Sequence, residues 1–92
     1  MTKNQNKKYD LEERTTRFAK RVRDYVKALP KTLPNIEYSR QLIRSAGSVA
    51  ANYIEANESL GTKDFKMKIK TCKKEAKESK LWIDLTECTP MN

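Results

Sequence analysis

The chain has 92 residues, 37% apolar and 35% charged, with two glycines, three prolines and a formal net charge of +8. That length allows one small domain, burying about 60–65% of the surface its unfolded form exposes. The scarcity of Gly and Pro excludes a sheet-rich or loop-rich fold and favours long helices with polar outer faces. With no His, and two cysteines outside any CxxC spacing, a zinc framework is excluded, as is a membrane span, since no apolar run approaches about 18 residues.

Residues 1–9 read as a disordered, basic N-terminal tail, and "MTKNQNKKYD" has no apolar signal core, so a cytoplasmic location is expected. Asp10 is the expected N-cap of a first helix over about 11–29, with Glu12 and Glu13 in its first turn. Leu11, Thr15, Phe18, Ala19, Val22, Val26 and Leu29 recur at three- and four-residue steps, and Arg14, Arg17, Lys20, Arg21, Arg23 and Lys27 occupy the outer face. The stretch "PKTLPN" breaks the pattern, because two prolines four apart cannot lie inside one helix.

A second helix is predicted from Ile36, capped by Asn35, to about Leu60. Leu42, Ala46, Val49, Tyr53 and Leu60 form one apolar row, and Ile36, Ile43, Ala50 and Ile54 lie beside it. So wide a stripe marks a central helix with more than one neighbour. Ala46, Gly47, Ala50 and Ala51 predict close approach of another backbone, which would offset the roughly 1 kcal/mol a helical Gly costs relative to Ala. A polar row, Arg44, Ser48, Asn52, Glu55 and Ser59, crosses the same helix. It reads as a set of hydrogen bonders fixing helix register or subunit pairing, or else as a narrow exposed strip.

Gly61 ends that helix and Thr62 is expected to cap a third, over about 63–86. Phe65, Ile69, Cys72, Ala76, Ser79, Ile83 and Thr86 alternate steps of four and three, a heptad-like seam widened by Trp82 and Leu85. One position along, Lys66, Lys70, Lys73, Lys77 and Lys80 repeat the same steps. An apolar row and a lysine row therefore lie roughly 100° apart on one helix. Pro90 closes the pattern, leaving residues 87–92 as a tail. Three helices with short turns imply an all-α, up-down antiparallel bundle in one domain over residues 10–86.

Charge is concentrated on the outer helices: residues 11–29 carry +3 and 61–86 carry +4, whereas 35–60 carry −1. The lysine row fits a strip of cations that tracks phosphates, and the plain alternative is a solvated face paired in part with Glu75, Glu78 and Asp84. Few aromatics interleave with these lysines, which speaks against base readout. Catalysis has little support: Glu55 and Glu58 lack the Glu-x-x-His partners of a bundle di-metal site, and no base is marked for a serine. No enzyme, cofactor or metal is expected, and no strip pairs Lys with large exposed apolar residues as surface binding to a membrane requires. Cys72 reads as a buried reduced thiol.

The segment "QLIRSAGSVAANYIEANES" resembles the second-helix signature of the bacterial four-helix-bundle proteins encoded in intervening sequences of 23S ribosomal RNA genes. The matching positions are Arg44, Ser45, Ser48, Val49, Asn52 and Glu55. "LEERTTRFAKRVRDYVKALPKT" and "KDFKMKIKTCKKEAKESKLWIDL" are similar to the family's first and third helices, so the likeness covers about residues 10–86. It implies subunits that assemble as homopentamers. A further similarity is to the accessory protein of diversity-generating retroelements, which implies nucleic acid and a reverse transcriptase as partners. The family carries a fourth helix; here the sequence stops at "TECTPMN", so part of the seam of helix 3 or one side of helix 2 is expected to be uncovered.

Together these features predict a homo-oligomer that binds RNA or DNA through Lys66, Lys70, Lys73, Lys77 and Lys80, helped by Arg17, Lys20 and Arg21. Arg44, Ser48, Asn52 and Glu55 would set register or subunit contacts. The alternative is a structural or protein-partner scaffold whose charge serves solubility, and no small-molecule substrate is expected in either case.

Overall fold

A computed structural model describes residues 3–89, with side chains from position 10 to position 89. Its regular elements are three helices, α1 (Lys3–Ala28), α2 (Leu33–Asn57) and α3 (Thr62–Leu85), so the all-α expectation holds.

The helix boundaries differ from the predicted ones for local reasons. No Gly or Pro interrupts residues 3–10, and α1 begins at Lys3 instead of at an Asp10 cap. Asp10 therefore lies inside α1, where its carboxylate stands 3.6 Å from Arg14 one turn on. At the other end α1 stops two residues before Pro30, as the backbone restriction ahead of proline requires. The N-cap of α2 is Thr32, whose Oγ1 accepts from the Asn35 backbone N–H at 3.3 Å. Pro34 sits in the first turn, where a missing N–H leaves nothing unpaired. The cap of α3 falls at Gly61, with extended backbone and no side-chain hydrogen bond, so Thr62 does not cap it. Pro90 lies outside the described residues, and α3 has already ended at Leu85.

Asn35 is not a cap but a clasp. It is 2% exposed. Its Nδ2 donates to the carbonyls of Pro30 (3.0 Å) and Glu87 (2.9 Å), and its Oδ1 accepts from the Glu87 N–H at 3.0 Å. The α1–α2 turn is thereby tied to the segment after α3. Nearby, Thr86 Oγ1 donates to the Ile83 carbonyl (2.7 Å) and meets the Tyr25 hydroxyl at 2.6 Å. The Tyr25 contact joins the C-terminal ends of α1 and α3, so these two helices run parallel with α2 antiparallel between them.

The core is small. Val22, Leu42 and Ala46 are buried together, and Phe18, Tyr25, Val26, Trp82 and Ile83 pack against them. Ser45 and Ser79 meet at 2.8 Å across the α2–α3 contact, which lets the two backbones come close. The close approach predicted for the small residues of α2 occurs at Ser45 and Ala46, not at Gly47: a Cβ added at Gly47 would meet nothing within 4 Å. Leu60, expected on an apolar row, is fully exposed in the α2–α3 turn because α2 ends at Asn57.

The molecule measures 54 × 27 × 14 Å, and its radius of gyration, 15.4 Å, exceeds the roughly 12 Å of a compact domain this long. It is flat because α1 and α3 each pack on α2 but share no Cα pair within 8 Å among the described residues. The consequence is exposed apolar surface. Ile36, Ile43 and Ile54 line one side of α2, and Leu11 and Phe65 are each 41% exposed.

Candidate nucleic-acid interface

Each lysine of the row on α3, Lys66, Lys70, Lys73, Lys77 and Lys80, is exposed. The period that packs half-buried Cys72 and Ile83 and buried Ser79 against α2 turns the neighbouring positions outward, so one pattern fixes both faces. Lys80 is 3.0 Å from Asp84, an exposed pair worth a few tenths of a kcal/mol. The other four form no ion pair among the described residues. Lys70, Lys73, Lys74, Lys77 and Glu78 border one shallow depression on the outer surface. Lys74 was not among the predicted contacts, although its place four after Lys70 and three before Lys77 marks it as their neighbour. Lys68 behaves differently: it reaches Glu55 on α2 at 2.7 Å, and that hydrogen bond raises its pKa above 10.5.

On α1, Arg14, Arg17 and Arg21 surround Phe18 in a second depression. Arg17 is held 2.8 Å from Glu13, while Arg21 has no ion pair among the described residues. Lys20 is exposed but does not line that depression. Arg14 does, and sequence reasoning placed it only on the outer face. The structure thus keeps the two predicted basic strips on separate helices, on opposite flanks of α2.

The polar row of α2 is bonded mostly within its own helix. Arg44 contacts Gln41 at 3.4 Å, and Asn52 Nδ2 donates to the Ser48 carbonyl (2.9 Å) and hydroxyl (3.0 Å). Among the described residues, Glu55 is the one member that reaches another helix, through Lys68. Other polar contacts between elements come from Asn35, from Tyr25 with Thr86, from Ser45 with Ser79, and from Asn57, whose Nδ2 donates to Glu12 Oε2 at 2.6 Å. On the α2–α3 side, Glu75 Oε1 and Trp82 Nε1 are buried without a hydrogen-bond partner among the described residues. Trp82 stacks on Tyr38 with ring centres 6.1 Å apart.

The cysteines offer little chemistry. Burial pushes the Cys72 thiol above 9.0 against a smaller backbone contribution, and its Sγ lies 3.5 Å from the Val49 carbonyl. A neutral, half-buried thiol is a poor nucleophile. Cys88 is exposed. Among the described residues no group of three His, Cys, Asp or Glu side chains is placed to hold a metal, and no helix is long and apolar enough to cross a membrane.

The arrangement can therefore hold anions at its surface. The family model for the 23S rRNA-intervening sequence protein matches residues 7–90. Comparison with curated proteins and with solved structures gives no significant match.

Proposed function

The chain belongs to the 23S rRNA-intervening sequence protein family, and on that premise we propose that it is a non-enzymatic, oligomeric helical protein that binds RNA through its phosphates. One observation carries this reading: Lys66, Lys70, Lys73 and Lys77 stand exposed on one helix with no carboxylate paired to them among the described residues. Arg21 adds a cation on α1, with Arg17 and Lys20 near it. A strip without interleaved aromatics or a groove-reading element contacts phosphates and leaves base edges alone. Assembly into a ring would repeat the strip on each copy, and several weak contacts engaged together bind far more tightly than one.

The test is binding of a ribosomal RNA fragment between 50 and 200 mM salt. Four phosphate contacts predict a log–log slope of about −2.8 to −3.6, a loss of about 50- to 150-fold over that range. Replacing Lys66, Lys70, Lys73 and Lys77 by Gln is expected to remove most of the slope. Weak affinity that stays flat with salt rejects the reading. A second reading, a protein-partner scaffold, is favoured by a different observation: large apolar side chains such as Ile43 (50% exposed) and Met67 (60% exposed) remain uncovered.

A further inference from the structure

The exposed side of α2 carries a regular row of its own. Ile36, Arg40, Ile43, Gly47, Ala50 and Ile54 follow one another at alternating steps of four and three, the spacing of a seam between two helices. The three isoleucines are exposed, and a Cβ at Gly47 would meet nothing within 4 Å. This row is distinct from the groove between α1 and α3, which Leu11, Thr15, Phe18, Val49 and Ala76 line. Gly47 and Ile54 stand about 160° and 140° around α2 from Val49. A helix laid in that groove would therefore leave the isoleucine row uncovered.

The row is symmetrical about residue 45. Ile36 and Ile54 lie nine positions from it, Arg40 and Ala50 five, and Ile43 and Gly47 two. Two copies of α2 laid antiparallel with their centres aligned set Ile36 against Ile54, Arg40 against Ala50 and Ile43 against Gly47. The missing Cβ of Gly47 makes room for Ile43 of the other copy. Charge agrees with this direction. Lys31 and Glu58 are exposed, lie fourteen and thirteen positions from the same centre, and form no ion pair among the described residues. The antiparallel register brings them together at both ends. A parallel pair would instead oppose Arg40 to Arg40 and Glu58 to Glu58, and like charges so placed repel.

We propose that this face pairs with the same face of a second copy, the two α2 helices running antiparallel about a two-fold axis with Ile43 of each seated over Gly47 of the other. Such a contact is self-complementary, as two-fold interfaces must be. The charge distribution points to a copy of this chain. α1 and α3 are net basic, so copies meeting through either of them would add like charge, whereas α2 balances Arg40 and Arg44 with Glu37 and Glu55. A neutral apolar row also gives phosphates nothing to bind. The pairing rests on the oligomeric part of the proposed function and supplies one defined contact for it; it does not use the lysine row of α3.

The experiment measures self-association of the full chain by sedimentation at 150 mM salt. Gly47→Leu, whose Cβ meets no atom of its own chain within 4 Å, is expected to weaken association at least tenfold with helicity by circular dichroism unchanged. Lys31→Glu and Glu58→Lys are each expected to weaken it at least threefold, and the double variant to recover the original strength. Direction is read by oxidation in a Cys72→Ser, Cys88→Ser background: Ile43→Cys mixed with Gly47→Cys should give mainly the mixed disulfide. Replacing Lys66, Lys70, Lys73 and Lys77 by Gln should leave association as it is, so the lysine row and this face are read independently. Undiminished association of Gly47→Leu, a charge-swapped double variant no stronger than the single ones, or disulfides mainly between like positions would overturn this pairing and leave the oligomeric reading standing. A chain that sediments as one copy at every concentration would overturn both.

Discussion

The hydroxyls of Ser45 and Ser79 have two protons for three contacts: with each other (2.8 Å), with the Glu75 carbonyl (2.9 Å) and with the Leu42 carbonyl (3.2 Å). The shorter carbonyl contact belongs to Ser79, so Ser79 donates to Glu75 and Ser45 donates across to Ser79. Removing either hydroxyl leaves the other bonded to its own helix. Ser45→Ala and Ser79→Ala are each expected to cost about 1 kcal/mol by urea denaturation. The double variant should fall short of their sum by about 0.5–1 kcal/mol, because the second change removes a bond already lost. A fully additive cycle would show that the two hydroxyls do not support one another. Asn35 shows the limit of local rules at this scale. Its place before an apolar run reads as a cap, but its decisive partner, Glu87, lies 52 residues away.

At the scale of the element, the wide apolar stripe of α2 predicts a central helix, and α1 and α3 both pack on it, with no Cα pair within 8 Å between those two among the described residues. Its width in apolar residues announced two neighbours, yet it did not say which side stays uncovered. Ile36, Ile43 and Ile54 are 38%, 50% and 44% exposed, with Gly47 beside them. Within one chain, a methyl at Gly47 meets no atom inside 4 Å. Gly47→Ala is therefore expected to stabilise the monomeric chain by about 0.5–1 kcal/mol, through helix propensity alone. Urea denaturation at concentrations where scattering reports one copy is the measurement. A loss of stability under those conditions would contradict the open environment seen at this position.

The whole molecule is flat, basic and thinly cored. Its fully buried apolar residues are few and mostly small, Ala46 and Ala56 among them, whereas Ile43 and Met67 stay half or more exposed. A chain of this size gains little stability from such a core by itself, and association is the usual remedy. Light scattering at neutral pH and tens of micromolar protein is expected to give a mass several times the chain's 10.7 kDa. A single-copy mass at that concentration would remove the multivalent part of the RNA-binding proposal while leaving the salt test of the strip intact. The amino-acid pattern by itself determined the three helices, their order and the outward lysine row, because helical period and proline breaks are local properties read from neighbours in the chain. Only the tertiary structure decided that α1 and α3 stay apart around a groove, that Asn35 clasps the C-terminal segment and that Gly47 faces open space. Those outcomes depend on where separate helices come to lie, and the spacing of residues along one helix carries no record of the distance to another.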